Sequence, residues 1–296
     1  MSAWTSPLDL HDDSVDFARN RVDEDAERAR ARTYAASARA RALGGIVDAD
    51  DAPDVCVIAV GSDAARAIAL GCARACDGTP RGAVVTSASD AEGRATRASA
   101  LGERARFGSA CAASVTTIHV GRRARGTGAV AIAETRGDVS GTCARAWARE
   151  TLRACGVRGG SKTKVLALTS CSETETSEAE MTAGEIDRVV AYGLDTGALR
   201  AELEGSAWPA PPRAYPVGRL LESVGASALM SACDALGVAA RVVAIPESEP
   251  VRVLYCGADL NAVNEAAAHA SALLGRVVEH DYKPRLAPMR AENVYA

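Results

Sequence analysis

The chain has 296 residues, of which 48% are hydrophobic and 24% are charged, and its formal net charge is −4. This composition excludes wholesale disorder and collagen-like or low-complexity architectures, and a chain of this length can bury a sizeable core. Because the slight acidic excess creates no global basic field, we expect no dedicated nucleic-acid binding.

The sequence carries no pattern of membrane insertion or export. No apolar run approaches the roughly 20 residues that a membrane-spanning helix needs. The first 20 residues contain acidic and basic charges without an apolar segment, which argues against a secretory signal. The acids Asp9, Asp12, Asp13 and Asp16 argue against an organelle transit peptide. We therefore expect no membrane association, and a location in the cytoplasm and nucleus.

The cysteine pattern favours free thiols. The chain has 9 cysteines, an odd number, and no Cys-x-x-Cys motif. Most of them stand beside Ala, Val or Leu, as small buried hydrophobic residues do. We expect a reducing compartment. Cys72 and Cys76 have the i, i+4 spacing of one helix face; we interpret them as core packing, with a metal or redox role as the alternative.

The first patterned segment, residues 9–43, is dense in charge and nearly free of Gly and Pro. Acids dominate as far as Glu27, and arginines follow, an order that complements a helix macrodipole. We predict a solvated helix outside the core, within a charged N-terminal arm that spans residues 1–51. A plain charged tail and a partner-binding arm both stay open.

The elements that follow alternate between strands and helices. Continuous apolar runs at 55–60 and 164–169 are typical of strands that are covered on both faces. Gly61 and Ser62 form a turn into a helix over 63–75. The remaining predicted elements are strands at 84–86, 115–120, 129–134, 239–245 and 251–256, the last two separated by Pro246 and Pro250, and helices at 89–105, 141–155, 184–203, 217–236 and 259–275. This order predicts an α/β fold, a mixed, largely parallel sheet with helices on both faces (an α/β/α sandwich), over residues 52–288.

Two nucleotide-binding motifs are close but incomplete. Residues 156–163 nearly match the phosphate-binding loop, but Ser161 stands where glycine is required, and a helix precedes the segment while a strand follows it. We interpret the segment as an ordinary helix-to-strand connection. The turn at Gly61 lacks the G-x-G-x-x-G pattern of dinucleotide-binding folds. Neither segment leads us to expect a cofactor.

Two further sites keep an enzymatic alternative open. Ser62 follows a strand, as a nucleophile does in some hydrolases, but Asp63 and Ala64 break the G-x-S-x-G elbow. The predicted hairpin connector contains Arg122, Arg123 and Arg125 between glycines, which could hold a phosphate or an acidic partner, or could be an exposed tip. The alternative function is therefore an α/β enzyme of hydrolase or nucleoside-phosphorylase type that uses Ser62 or the Arg122–Arg125 loop.

The sequence ends in Val294, Tyr295 and Ala296, a hydrophobic residue, a tyrosine and a small residue. Pro284 and Pro288 keep the approach to this ending extended. A tyrosine offers an apolar ring and a polar tip to a groove, and a free α-carboxylate is a charge that a lysine or backbone donors can capture. Residues 289–296 are therefore a candidate docking tail, with a frayed terminus as the alternative.

Taken together, these features resemble the eukaryotic family of proteasome assembly chaperone 1. The resemblance is carried by four segments in a shared order. These are the strand and turn Val-Ile-Ala-Val-Gly at 57–61, Leu-Thr-Ser-Cys at 168–171, Ala-Leu-Met-Ser-Ala-Cys at 228–233 and the tail Val-Tyr-Ala at 294–296. A charged N-terminal segment, as found here, is similar to that of the family.

The resemblance implies a non-catalytic chaperone with an α/β sandwich domain and no cofactor. Such chaperones pair with a homologous partner, proteasome assembly chaperone 2, and the heterodimer promotes assembly of the α-subunit ring of the proteasome core particle. By the same resemblance, Val294 would supply an apolar contact and Tyr295 would pack in a pocket between α subunits. The carboxylate of Ala296 would pair with a pocket lysine.

Overall fold

The computed structural model describes residues 39–43, 52–87, 114–123, 128–137, 139–141, 143–172, 190–202, 208–210, 212–216, 221–248 and 255–286. Within these residues there are eleven strands and five helices. The strands are β1 (Arg39–Leu43), β2 (Val55–Ala59), β3 (Thr79–Ser87), β4 (Val115–Arg122), β5 (Ala129–Arg136), β6 (Lys164–Ser172), β7 (Tyr192–Asp195), β8 (Arg213–Ala214), β9 (Ala240–Ser248), β10 (Tyr255–Ala258) and β11 (Arg285–Leu286). The helices are α1 (Asp63–Ala75), α2 (Ala144–Ala154), α3 (Gly197–Glu202), α4 (Val224–Leu236) and α5 (Leu260–Leu274).

All described strands join one mixed sheet. Its main path runs β1-β3-β4-β5-β2-β6-β9-β10-β11, while β7 pairs with β9 and β8 pairs with β7. The central strands β5, β2, β6 and β9 are parallel neighbours, and antiparallel pairs flank them. The predicted α/β/α sandwich is confirmed, with its parallel strands in the middle of the sheet.

Hydrophobic cores lie on both faces of the sheet. Helices α1, α3 and α5 contribute to one core, together with alternate residues of β2 such as Val55 and Val57. Helices α2 and α4 contribute to the other, against Cys56 and Ile58. Because successive side chains of a strand point to opposite faces, the continuous apolar run of β2 serves both layers at once. None of the described helices is long and apolar enough to cross a bilayer.

Helix ends follow the capping signals in the sequence. The Ser223 side chain accepts a hydrogen bond from the Ala226 N–H at the start of α4, and Asp259 does the same for α5. Gly237, in the left-handed conformation with φ 63°, ends α4. A side-chain acceptor at the first end and a glycine beyond the last are the usual solutions for unpaired backbone groups.

The predicted helix over residues 9–43 is wrong at its C-terminal end. Residues 39–43 form β1, which pairs antiparallel with β3, Arg39 opposite Ser87 and Leu43 opposite Ala83. The Arg-Ala alternation of this segment fits the two-residue period of a strand, and β3 has an edge with which it can pair. Ala and Arg are also strong helix formers, so the same residues predicted a helix. Residues 9–38 lie outside the described part of the chain. The division into arm, domain and tail stays a prediction.

Two further predictions differ from the structure in the second half of the chain. The helix expected over 184–203 is wrong at Tyr192–Asp195, which is strand β7, and the helix of this region is α3. The expected strand break at Pro246 is also wrong, because this proline lies inside β9 opposite Cys171. The Pro246 carbonyl accepts a hydrogen bond from the Asp259 N–H. On this edge of β9, Pro246 lies between the residues that pair with β7 and the residues that pair with β10. The N–H that a proline lacks is therefore not needed by a neighbouring strand there.

The other predicted elements agree in type with the structure where it describes them. The helix predicted at 89–105 and residues 251–254 of the predicted strand lie outside the described residues. The hairpin of β4 and β5 is confirmed, with Val115 opposite Arg136 and Arg122 opposite Ala129. Residues 156–163 connect α2 to β6, as the interpretation against a phosphate-binding loop requires.

Candidate functional site

The predicted docking residues Val294, Tyr295 and Ala296 lie outside the described residues, so the structure does not test their role. The candidate site that the described residues do build lies at Ser62. A cavity of about 370 Å³ opens at this position. Its lining residues come from the end of β5, the turns after β2 and β5, α1, β9, β10 and the segment after α5: Gly61, Ser62, Asp63, Arg66, Thr135, Arg136, Gly137, Glu247, Gly257 and Tyr282.

Ser62 is the N-terminal cap of α1. Its backbone is extended and its side chain accepts a hydrogen bond from the Ala65 N–H at 3.2 Å. The same oxygen donates to Oε1 of Glu247 at 2.6 Å. No histidine is among the described residues that line the cavity. With both partners engaged in this way, Ser62 fits a capping and positioning role rather than that of an activated nucleophile.

Glu247, near the C-terminal end of β9, accepts the hydrogen bond from Ser62 on one wall of the cavity. Burial raises the pKa of this carboxyl, the hydrogen bond from Ser62 lowers it, and the nearby Asp63 and Glu222 raise it. Desolvation disfavours the charged form of a carboxyl, and neighbouring carboxylates act in the same direction. This wall therefore combines a hydroxyl with a carboxyl of reduced acidity.

A buried carboxylate holds two arginines on another wall. Glu134, 2% exposed near the end of β5, accepts a hydrogen bond from Nε of Arg66 at 2.7 Å. Nε of Arg136 lies 3.4 Å from the other oxygen of the same carboxylate, and the Arg136 side chain is 62% exposed. One carboxylate thus orients two guanidinium groups from different elements. One signal of this cluster is visible in the sequence, an acid within the apolar run of β5, and it was not among the predicted site residues.

The second predicted site, the Arg122–Arg125 loop, does not join this cavity. The Arg122 N–H donates to the Cys76 carbonyl, and the Arg123 N–H donates to the Gly128 carbonyl, which places the base of the hairpin beside the end of α1. Residues 124–127 are outside the described part. Strand β5 begins at the hairpin and ends at the cavity, so its eight residues separate the two regions by roughly 25 Å. Ser62 and the arginine loop are therefore at opposite ends of the sheet.

The described cysteines pack in the cores. Seven of them, Cys72 and Cys76 among them, are buried, and none of these seven forms a disulfide. Burial raises the pKa of both thiols. A raised pKa keeps a thiol protonated and therefore poor as a nucleophile or metal ligand. Among the described residues, no group of three or more His, Cys, Asp and Glu is arranged to hold a metal ion.

A larger, more apolar groove of about 800 Å³ runs between α2 and α4. Arg145 and Arg149 stand on its α2 side, and Val224 and Leu236 lie at the two ends of its α4 side. These two apolar side chains are among the exposed large hydrophobic residues of the described chain. The groove lies on the face of the sheet opposite the one that α1 and α5 cover.

Comparison of the structure with known ones finds similar folds at low sequence identity. The chain is similar to PbaB of Pyrococcus furiosus, an archaeal proteasome activator, with a TM-score of 0.52 and 10% identity over 82% of this chain and 91% of that one. It is also similar to PbaA of Pyrococcus furiosus, an archaeal homologue of proteasome-assembly chaperone, with a TM-score of 0.44 and 15% identity over 80% of this chain and 86% of that one. A proteasome-assembly chaperone homologue of Mycobacterium tuberculosis matches with a TM-score of 0.36 and 14% identity over 65% of this chain and 75% of that one.

The match to PbaB shows a shared fold. No family model matches the sequence, and no curated protein matches it.

Proposed function

We propose that this chain is a non-catalytic chaperone that promotes assembly of the α ring of the proteasome core particle. It would act as a heterodimer with a homologous partner, proteasome assembly chaperone 2, in the cytoplasm and nucleus. The observation that carries the proposal is a combination: a chain with the fold of an archaeal proteasome activator carries Val294, Tyr295 and Ala296 at its C-terminal end.

The proposal gives each tail residue a physical role and takes Ala296 as the C-terminal residue. Val294 contributes apolar contact, and the ring of Tyr295 fills a pocket between neighbouring α subunits, with its hydroxyl at the polar rim. The α-carboxylate of Ala296 pairs with a lysine of the α ring. Because this ion pair is desolvated on docking, its contribution depends on close geometry.

The cap geometry of Ser62 supports the non-catalytic part of the proposal. The Ser62 hydroxyl bonds to the backbone of its own helix and to the Glu247 carboxyl, and no histidine base is among the described residues that line the cavity. A hydrolase of the Ser-His type needs such a base within hydrogen-bond reach. The geometry therefore favours the chaperone over the hydrolase alternative.

The test is an affinity pull-down followed by mass spectrometry, from cells of the same organism. Three forms of the tagged chain are compared: the intact chain, a form that lacks Val294, Tyr295 and Ala296, and Tyr295→Phe as the matched control that keeps the ring. We expect the intact chain and Tyr295→Phe to retrieve the homologous chaperone and α subunits. We expect the truncated form to keep the chaperone and lose most of the α subunits. Retrieval of neither by the intact chain would overturn the proposal.

A further inference from the structure

The cavity at Ser62 lies where the chain changes from one face of the sheet to the other. Strands β2 and β5 are parallel neighbours. After β2 the chain enters α1, which packs in one core, and after β5 it reaches α2, which packs in the other. The two turns therefore diverge and leave a crevice at the carboxyl ends of the strands. In open α/β sheets, ligands bind in such a crevice.

One wall of the cavity carries surplus positive charge. The carboxylate of Glu134 is the shared partner of Arg66 and Arg136, so these three residues carry a formal net charge of +1, although Asp63 and Glu247 also line the cavity. A guanidinium has five N–H donors. The Nη groups of Arg66 make no hydrogen bond in the described part of the chain, and Arg136 is mostly exposed. The buried Glu134 carboxylate holds the two guanidinium groups in place, and their remaining donors face the cavity. Arginines held in this way are found in sites that bind phosphate or carboxylate groups.

The facing wall offers oxygen atoms rather than cations. The Ser62 hydroxyl and the Glu247 carboxyl are joined by a 2.6 Å hydrogen bond at the rim of the cavity. Burial raises the pKa of Glu247, and its carboxyl oxygens accept hydrogen bonds from hydroxyl groups, as Oε1 does from Ser62. Asp63 beside it adds negative charge, so an anion alone gains less here than a ligand with hydroxyl groups as well.

Backbone close to the cavity keeps it open. A side chain at Gly257 would overlap the Tyr282 hydroxyl, and that hydroxyl accepts a hydrogen bond from the Ala258 N–H at 2.7 Å. Gly137, with φ +76°, leads out of β5 without a side chain of its own. The ring of Tyr282 is thus held in place as a wall.

We propose that this cavity binds a small polyhydroxylated ligand that carries one anionic group, a phosphate or a carboxylate. The anionic group contacts Arg66 and Arg136, and the hydroxyl groups face Ser62 and Glu247. This binding site is additional to α-ring assembly and does not depend on it.

Isothermal titration calorimetry on the full chain, at constant ionic strength, tests the site. Ribose 5-phosphate and gluconate are the two probes of the class, one with a phosphate and one with a carboxylate. Inorganic phosphate and ribose are the separated halves of the first probe. We expect at least one of the two class probes to bind, and to bind more tightly than phosphate or ribose alone.

Three variants locate the binding. Arg136→Gln removes an exposed guanidinium and is expected to weaken the binding probe at least about tenfold, the effect of losing one hydrogen bond to a charged group. Glu247→Gln is expected to weaken the polyhydroxylated probe and leave inorganic phosphate unchanged. Arg145→Gln is the matched control, since Arg145 is an exposed arginine of α2 in the other groove, and we expect no change.

Two results would overturn the inference. The first is that neither ribose 5-phosphate nor gluconate binds the intact chain. The second is that Arg136→Gln weakens binding no more than Arg145→Gln does, which would indicate nonspecific attraction of anions. Because the measurement involves no proteasome subunit, its failure would leave the proposed function as it stands.

Discussion

Arg241 and Asp195 form a bidentate ion pair in the interior of the protein. Nε of Arg241 donates to Oδ1 of Asp195 at 2.6 Å, and Nη2 donates to Oδ2 at 3.0 Å. The third nitrogen, Nη1, donates to the Pro209 carbonyl at 2.9 Å, and the guanidinium lies 5.4 Å from the centre of the Trp208 ring. The Arg241 side chain is 0% exposed and that of Asp195 is 13% exposed. This arrangement ties β9, β7 and the segment at Trp208 together.

Breaking this pair should destabilise the fold strongly. Asp195→Asn keeps the shape of the side chain but leaves the buried guanidinium of Arg241 without a counter-charge, at an expected cost of about 3–5 kcal/mol. Asp281→Asn is the matched control, because Asp281 pairs with Arg74 at 3.0 Å while 84% exposed. An exposed pair contributes about 1 kcal/mol or less. Urea unfolding followed by circular dichroism measures both; equal losses in the two variants would contradict this account.

His269, on α5, should make the stability depend on pH. Its pKa is lowered to about 4, mainly by burial and also by the nearby Arg241, while Asp195 acts in the opposite direction. The unfolded chain therefore binds a proton near pH 6.5 that the folded chain does not accept until about pH 4. The contribution of neutral His269 to the free energy of unfolding is therefore fully present above the unfolded pKa. It is lost as the pH falls from 6.5 to 4, by at most about 3 kcal/mol.

The check combines two measurements. Proton NMR of His269 should show a midpoint near pH 4. Urea unfolding from pH 7 to pH 4 should show a shallower loss of stability for His269→Gln than for the unchanged chain. An NMR midpoint near 6.5, or identical pH profiles for the two proteins, would contradict the prediction.

Gly71 in α1 is a position where a better helix former should fail. A Cβ there would overlap the backbone oxygen of Glu279 and lie 3.1 Å from the side chain of Val278. Alanine favours a helix by about 1 kcal/mol over glycine, but the overlap with the Glu279 backbone should cost more than this gain. We expect Gly71→Ala to lower the free energy of unfolding by about 1–3 kcal/mol. The comparison is Gly197→Ala, in helix α3, where the nearest atom is 3.9 Å away.

We expect Gly197→Ala to be neutral or stabilising and Gly71→Ala to be destabilising, as measured by thermal unfolding. The opposite order would show that α1 and the segment after α5 do not approach as closely as described.

Ser62 should matter to stability and not to partner binding. Ser62→Ala removes the cap of α1 and the hydrogen bond to Glu247, with an expected cost of about 0.5–2 kcal/mol. Ser231→Ala is the control, because the Ser231 hydroxyl is exposed and donates to a carbonyl of its own helix, that of Ser227. Its expected change is within about 0.5 kcal/mol. Loss of partner capture in Ser62→Ala, with the fold intact, would contradict the structural role.

The strands of the sheet centre could be predicted because their signal is local. The apolar runs that became β2 and β6 are covered on both faces, and the sequence shows this directly. Strand β7 could not be predicted in this way. Its four residues depend on pairing with β9 and on the close approach of Gly193 to Pro212, where a Cβ would lie 2.8 Å from Cδ.

The candidate site, too, could be predicted from the sequence only in part. The turn at Ser62 and the helix after it could be predicted from neighbouring residues. The partnership of Arg66 with Glu134, and of Ser62 with Glu247, joins positions 68 and 185 residues apart, which only the sheet order brings together. The docking tail rests on sequence alone, since residues 294–296 lie outside the described residues.

The central claim is tested most directly by co-expression of this chain, its homologous partner and the proteasome α subunits of the same organism, with native mass spectrometry of the products. The account predicts single α rings that carry the heterodimer, and fewer such complexes when Val294, Tyr295 and Ala296 are removed. If the α subunits give the same distribution of rings and ring dimers with and without the chain, and no ring carries it, the claim that this protein assembles the α ring is contradicted.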